Sequence, residues 1–421
     1  MKVSTLRRVD AWIGGPLCLI ASGLLAFSRL WLKPAGKNHK PGSVLVLKLS
    51  ELGALITLGP AMRSLTKLTG RENLFFLTFG ESRSLLEVLD YVPRENIFFL
   101  PTDSLIDLLW GGLHVLRSLR RKRIECSVDL DFFARATALL GWLSGCRRRV
   151  GCHPYFGEGP YRGNLLTHRV KFNPHIHVSR MFEVLAKAAE QPAGDLPQLK
   201  FIPDPADAPV EPFRPSAQEV LSVRRIVAEA GAGPHHRVIL LNTNISDRET
   251  IPLRKWGDGC YVELARLILS GITDSFVLMT GTAKESGIVA GLVASVGHPR
   301  CKSIAGKTSL RELLTLYGMA DMMITNDSGP AHFATLTDME VIVLFGPETP
   351  LMWRPLGAGV TVLYRHLACS PCFSVYNGRQ SMCRRNACMD FTPEEVYRIV
   401  RQRWADRKVR KKSPDTMLLS G

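Results

Sequence analysis

Ile324-Thr325-Asn326-Asp327-Ser328-Gly329-Pro330-Ala331-His332, running on toward Val341-Ile342-Val343-Leu344-Phe345-Gly346-Pro347, is the stretch that decides how this chain reads. An apolar strand ends in small polar residues, Pro330 suits the first turn of a helix, and a second apolar strand follows. Such a turn aims unpaired backbone N–H groups and the positive end of a helix at an anion. Gly329 lets a phosphate come close to the backbone, and the Ser328 hydroxyl can cap the helix or donate to an oxygen. Asp327 would repel a phosphate, so its use here is to bind a ribose hydroxyl or to orient His332. An ordinary capped strand-to-helix turn would look the same.

The same alternation extends along the chain. Ser43–Ser50 reads as a buried strand, followed by a turn at Gly53 and a helix to about Thr69. Asn73–Phe79, Asn96–Leu100 and Cys126–Leu130 are further strands, with helices at 82–89, 104–121 and Ala134–Leu143. Short apolar runs alternating with helices mean parallel βαβ units. Five prolines between 202 and 216 then mark a linker that divides the chain nearly in half. Beyond it the pattern restarts. Ser216 and Glu219 have capping-box spacing and open a helix over Ala217–Ala230. Strands at Val238–Leu241, Phe276–Thr280, Met322–Thr325 and Val341–Phe345 alternate with helices at Gly259–Ser270 and Ser309–Tyr317. Thr392-Pro393-Glu394-Glu395 opens a last helix to about Trp404. The expected organisation is an N-terminal segment (1–40), a first Rossmann-like domain (41–201), the linker (202–216), a second Rossmann-like domain (217–390), and a C-terminal helix with its tail (391–421). Ligands of such sheets bind outside the carboxyl ends of the strands.

The net charge is +16 over 421 residues, and it sits mainly at the ends: +6 over residues 1–40 and +7 over 398–412. This distribution suits an anionic membrane surface rather than a nucleic-acid groove, so no nucleic-acid partner is expected. Residues 11–27 carry no charge, Leu30-Trp31-Leu32 extend the apolar character, and Trp12 and Trp31 bracket it like interfacial anchors. A membrane anchor or re-entrant helix is expected; a cleaved signal peptide competes, since Arg7 and Arg8 precede the apolar run.

Several chemistries are excluded. No Gly-x-Gly-x-x-Gly follows a strand, which argues against a nicotinamide or flavin dehydrogenase. Gly306-Lys307-Thr308 imitates the end of a P-loop, but the earlier glycine that motif requires falls at Cys301. Ser309 and Glu312 make the loop a helix start instead. Two other strand-end loops remain. Asn242–Ser246 is followed by Pro252-Leu253-Arg254-Lys255-Trp256, where Arg254 or Lys255 supplies a cation for a diphosphate. Gly281–Glu285 carries a carboxylate suited to a ribose diol or to a plain helix start.

Together these pieces resemble glycosyltransferase family 9, the heptosyltransferases of lipopolysaccharide core assembly, and in particular its membrane-associated, less characterised branch. The matching segments are Val44–Leu68, Asn242–Leu267, Thr280–Glu285, Ala305–Leu310, Thr325–Pro347 and Cys369-Ser370-Pro371-Cys372. The resemblance implies an α/β, GT-B fold: two Rossmann-like domains facing a cleft, here with an N-terminal hydrophobic helix, and the donor held mainly by the second domain. It implies inverting transfer without a catalytic metal and with no bound cofactor. Asn242 lies in the donor region, and Lys255 would hold the donor diphosphate. Asp327, Ser328, Gly329 and His332 would line the phosphate and sugar site. Glu285 would meet the ribose, and the loop Gly306, Lys307, Thr308 to Leu310 would pass the base.

One departure matters. The family's first loop usually reads Leu-Gly-Asp, with Asp as general base; here Leu52-Gly53 is followed by Ala54, which accepts no proton. Glu51 on the same loop and Asp131 at the end of the Cys126–Leu130 strand are the candidate bases; Asp129 lies beside the latter. A structural role for each competes. Cys369, Cys372, Cys383 and Cys388 have the count of a structural zinc site, but irregular spacing, so zinc is not the favoured reading. Arg379, Arg384 and Arg385 nearby would favour thiolates. The implied partners are a nucleotide-diphosphate-sugar donor, a lipopolysaccharide or lipid-linked glycan acceptor, and an anionic membrane. The implied place is the cytoplasmic face of a bacterial inner membrane. The competing class is a membrane-tethered, nucleotide-sugar-binding pseudoenzyme.

Overall fold

A computed structural model describes residues 3–29, 40–49, 51–155, 157, 159–192, 200–201, 211–244 and 252–411. Leu30–Leu32 of the apolar segment, Ser246, most of the Pro-rich linker (202–210) and the end of the basic tail (412–421) lie outside the described residues. The chain forms two compact units. Unit 1 is Met1–Val210 with Leu351–Trp353 and Phe373–Gln380; unit 2 is Glu211–Pro350, Arg354–Cys372 and Ser381–Gly421.

Unit 1 holds strands β1 (Val44–Leu47), β2 (Leu74–Phe79), β3 (Ile97–Leu100), β4 (Cys126–Asp129), β5 (Arg148–Cys152) and β6 (His168–Val170). Its helices are α1 (Val3–Arg29), α2 (Leu52–Ile56), α3 (Gly59–Thr69), α4 (Arg83–Leu89), α5 (Leu105–Lys122), α6 (Arg135–Leu143) and α7 (Val178–Ala188). The sheet order is β3-β2-β1-β4-β5-β6, all parallel. This is the doubly wound order, with the topological switch between β1 and β4. All four residues of β1 are buried, as a parallel strand covered on both faces requires.

Unit 2 holds α8 (Ala217–Glu229), β7 (Arg237–Asn242), α9 (Asp258–Gly271), β8 (Ser275–Thr280), α10 (Ser286–Val296), β9 (Cys301–Ser303), α11 (Leu310–Met319), β10 (Met322–Asn326), α12 (Gly329–Ala334), β11 (Glu340–Phe345), β12 (Val360–Tyr364) and α14 (Pro393–Lys411). A short α13 (Pro350–Trp353) comes between β11 and β12. The order β12-β11-β10-β7-β8-β9 repeats the topology of unit 1, with its switch between β7 and β10. Trp256, Tyr261, Ile268 and the inner faces of β7, β8 and β10 share one core with Val396, Val400 and Trp404 of α14.

The α/β class and the two wound sheets agree with the expectation, and the capping boxes at Ser216 and Ser309 form as read. Thr392 and Glu395 likewise exchange bonds at the start of α14. Other details differ. The helix expected from Gly53 to Thr69 is two helices, because Pro60 cannot donate inside a turn and so begins a new one. Strands β5 and β6 escaped the reading because Arg148, Arg149, His168 and Arg169 interrupt their apolar pattern. The last helix continues past Trp404 to Lys411.

The apolar N-terminal segment is a 27-residue helix laid on unit 1. Asp10 accepts from the backbone N–H groups of Arg135 (3.1 Å) and Ala136 (2.7 Å), capping the start of α6. One turn on, Gly14 faces Arg135 so closely that an added Cβ would sit 2.8 Å from the arginine side chain. Cys18 and Ala21 pack against Ala138 and Leu165. The Ser22 hydroxyl accepts from the Asn164 N–H at 2.7 Å. The stretch Arg8–Phe27 is long and apolar enough to cross a membrane, yet one face is committed to α6.

Candidate active site

In unit 1 the residues at the carboxyl ends of β1 and β4 meet at the switch point. Lys48 directly follows β1 and is almost wholly buried, with its ammonium 2.5 Å from Asp131 Oδ1 and 3.5 Å from Glu51 Oε2. The other Asp131 oxygen accepts the Leu49 N–H at 2.6 Å. Arg379 donates to Glu51 Oε1 and stacks on Trp353, its guanidinium 4.6 Å from the ring centre. Both candidate bases thus share one buried cation. They differ in access: the Glu51 side chain is 23% exposed and that of Asp131 6%. Glu51 also holds a left-handed backbone (φ 70°, ψ 76°) at the start of α2. That conformation costs a residue with a Cβ about 1–2 kcal/mol, and such strain gathers where a side chain must be aimed.

Asp129 serves a structural end. It pairs with the buried Arg162, and accepts from Thr137 Oγ1 (2.7 Å) and the Asp131 N–H (2.9 Å). Arg162 also donates to the carbonyls of Phe132 and Cys152, so the Asp129–Arg162 pair ties β4 to the loop before β6.

In unit 2 the ends of β7 and β10 are joined by side chains. Asn242 Nδ2 donates to Thr325 Oγ1 at 3.0 Å and to Ser328 Oγ at 3.5 Å. Asn326 accepts the Trp256 N–H at 2.8 Å and donates to the Thr243 carbonyl at 3.2 Å. Of the two roles open to Ser328, the hydroxyl donates to the Asn326 carbonyl at 3.2 Å and makes no side-chain cap on α12. Pro330 sits in the first turn of α12 as expected, and His332 is buried on it.

The cations beside this turn are divided. Arg254 pairs with Asp327 Oδ2 at 2.7 Å, and Lys255 pairs with Asp258 at the start of α9. Asp327, expected to serve a ribose or His332, is paired here with Arg254. Glu285 completes a capping box, its Oε2 accepting from both the Thr282 N–H and hydroxyl at 2.8 Å. Gly306 lies at φ +75°, and a Cβ there would stand 2.8 Å from Ala283 Cα. The Gly306 N–H donates to the Gly281 carbonyl at 2.9 Å, so Gly306–Leu310 and Gly281–Glu285 form one double loop above β8 and β9. Lys307 and Thr308 lead from it to the Ser309 cap of α11.

The sequence reading did not single out Lys48 or Arg379 as site residues. A lone lysine inside the apolar run Val44–Leu49 was the available signal for the first; nothing local marks the second. The cysteine cluster departs from expectation in one respect. Burial first, then the neighbouring Cys372, pushes the Cys388 thiol up to about 11, opposite to the thiolate expected beside arginines. Arg379 is engaged with Glu51 instead. Among the described residues no group of three or more His, Cys, Asp or Glu is arranged to hold a metal.

The profile of glycosyltransferase family 9 (heptosyltransferase) matches residues 116–381. Lipooligosaccharide heptosyltransferase 2 of Haemophilus influenzae is 28% identical over 147 residues, 34% of this chain and 41% of that protein. The matched region thus spans about two fifths of that relative's length. Lipooligosaccharide heptosyltransferase 2 of Haemophilus ducreyi is 22% identical over 66% of this chain and 73% of its own. Among solved structures, the ADP-heptose lps heptosyltransferase II of E. coli superposes with a TM-score of 0.63 at 20% identity, covering 87% of this chain and 99% of its own. A family 9 glycosyl transferase from Veillonella parvula gives 0.65 at 15% identity, covering 89% and 100%. These likenesses establish a GT-B-type fold, and with the profile matching well over half of its length, the chain belongs to glycosyltransferase family 9.

Proposed function

We propose that this protein is an inverting, metal-independent glycosyltransferase that moves a sugar, a heptose by family, from a nucleotide-diphosphate donor to a lipopolysaccharide or lipid-linked glycan acceptor. The observation that carries the reading is the family's Asn-Asp-Ser-Gly-Pro-x-His run, set at the switch point of the second sheet and locked to β7 through Asn242. A nucleotide diphosphate is the ligand such a strand-to-helix turn favours, and the relatives' names point to ADP-heptose. On this reading Lys255 and the start of α12 meet the diphosphate. Asp327 is held off it by Arg254, and the Gly281–Glu285 and Gly306–Leu310 loops bound the nucleoside.

Glu51 is the base we assign in place of the missing aspartate at Ala54. It takes the acceptor hydroxyl proton, the oxygen attacks the anomeric carbon, and the diphosphate leaves with the bonding electrons. Its greater exposure and its aimed backbone favour it over Asp131, which positions Lys48. The acceptor places the work at the cytoplasmic face of an inner membrane, with α1 beside the lipid. Ala54 also favours a second reading, a donor-binding partner without turnover.

Turnover separates the two: nucleotide diphosphate release is followed with ADP-heptose and a membrane lipid extract. Glu51→Gln is expected to lower kcat by at least a hundredfold at unchanged thermal protection by ADP. An active wild type that tolerates both Glu51→Gln and Asp131→Asn would remove both base assignments. Lys255→Ala should weaken ADP protection by roughly ten- to a hundredfold in affinity, the worth of one charge-assisted contact. Wild-type-like protection in that variant would remove Lys255 from the donor site.

A further inference from the structure

Helix α5 carries one stripe that no described residue of unit 1 covers. Ile106, Leu109, Trp110 and Leu113, at the i, i+3, i+4, i+7 spacing of one helix face, are 67%, 73%, 70% and 39% exposed. The opposite face, with Val115 and Leu119, is buried against β1 and β2. Continued at the same helical period, the exposed stripe passes to Arg117, Arg120 and Arg121, all exposed. One face of one helix therefore changes from apolar to cationic halfway along. Asp107 stands at the apolar end but is taken up with Ser104 in the N-terminal cap.

This stripe is on the α1 side of the sheet. Leu140 of α6 packs into the same core as Val115 and Leu119 of α5, against Leu45, Leu47 and Leu49. Arg120 also donates to the Leu143 carbonyl at the end of α6, at 2.7 Å. On α6, α1 lies by way of Cys18 and Ala21, with Trp12, Ile13, Leu19, Ile20, Leu24 and Phe27 exposed outward. So α5 and α1 flank α6 on one face of unit 1, and both present bare apolar side chains. Large apolar side chains exposed together along one helix face mark a docking surface.

We infer that the α5 stripe is a second membrane contact, with Ile106, Leu109, Trp110 and Leu113 in the acyl boundary and Arg117 and Arg121 at the level of anionic lipid phosphates. Charge complementarity selects this occupant: a second copy docked parallel would set two arginine clusters against each other, and one docked antiparallel would lay arginines on apolar side chains, whereas an anionic bilayer offers both hydrocarbon and counter-charge. Because α5 begins just after β3, its apolar half lies at the carboxyl end of the sheet, the end that carries Lys48, Glu51 and Asp131. The inference deepens the membrane placement proposed above but stands on unit 1 alone, and it holds whether or not sugar is transferred.

The test uses the full chain with vesicles of phosphatidylcholine and phosphatidylglycerol whose acyl chains carry bromine, a short-range quencher of tryptophan. Trp110→Phe should remove from the quenched emission about the share of one of the seven tryptophans, and Trp12→Phe another. Arg117→Glu with Arg121→Glu should reduce the Trp110 contribution, and so should vesicles lacking phosphatidylglycerol. If Trp110→Phe leaves the quenched fraction unchanged while Trp12→Phe lowers it, the α5 contact is refuted and the α1 contact kept. If neither matters, the membrane placement itself fails. If Trp110→Arg instead halves the molecular mass in solution, the stripe is an interface between copies and the inference is overturned.

Discussion

Replacing Lys48 by Met tests how unit 1 holds its candidate bases. The side chains are of similar length, so little packing changes, but a cation only 1% exposed is lost between Asp131 at 2.5 Å and Glu51 at 3.5 Å. Removing one partner of a buried pair costs about 3–5 kcal/mol, because the other charge stays buried without compensation. Here the remaining carboxylates keep other donors, the Leu49 N–H for Asp131 and Arg379 for Glu51, which points to the lower end, about 3 kcal/mol. For a unit of this size that is a fall of roughly 6–12 °C in the unit 1 melting transition. The double variant Lys48→Met/Asp131→Asn keeps an acceptor for Leu49 but no uncompensated charge, and should recover all but about 1 kcal/mol. Urea unfolding at pH 7 of the wild type, both single variants and the double variant gives the coupling directly. A Lys48→Met protein within about 0.5 kcal/mol of wild type, or a double variant no more stable than the single, would refute the reasoning.

Three other perturbations follow from the same structure. Burial, with Arg148 adding to it, lowers His168 to about 4 from 6.5, so the folded chain holds this ring neutral while the unfolded chain takes up a proton. Its contribution is complete above pH 6.5 and is lost as pH falls toward 4, with a slope of up to about 1.4 kcal/mol per pH unit; urea unfolding across this range should flatten in His168→Gln. Gly306→Ala forces a Cβ into a φ of +75° and against Ala283 at 2.8 Å. It should destabilise unit 2 by roughly 2 kcal/mol or more, read as a lower melting temperature with ADP protection weakened. Asp10→Ala removes two acceptors from the start of α6 and should cost about 1 kcal/mol in urea unfolding. It should also raise protease cutting between α1 and β1, and unchanged cutting would mean that the apolar face of α1 and the Ser22–Asn164 bond hold it without Asp10.

What the sequence by itself determined is everything set by near neighbours. Apolar runs such as Val341–Phe345 gave the strands, Ser216, Ser309 and Thr392 with a glutamate three residues on gave helix starts, and Pro330 placed the turn after β10. The Ile324–His332 motif was legible for the same reason, being one continuous stretch that ends one strand and begins one helix. The ion pairs around it were not read: Asp327 pairs with Arg254 and Lys255 with Asp258, whereas the helix start at Glu285, one of its two readings, forms as a capping box. Only tertiary structure made Glu51 and Asp131 neighbours. Lys48 and Asp131 are 83 residues apart, and Glu51 and Arg379 are 328 apart. They meet because strand order puts β4 beside β1 and because the chain returns to unit 1 at Phe373–Gln380. Periodicity and caps act over one or two turns of chain, whereas an ion pair depends on distance in space, which the wound sheet sets and local sequence does not.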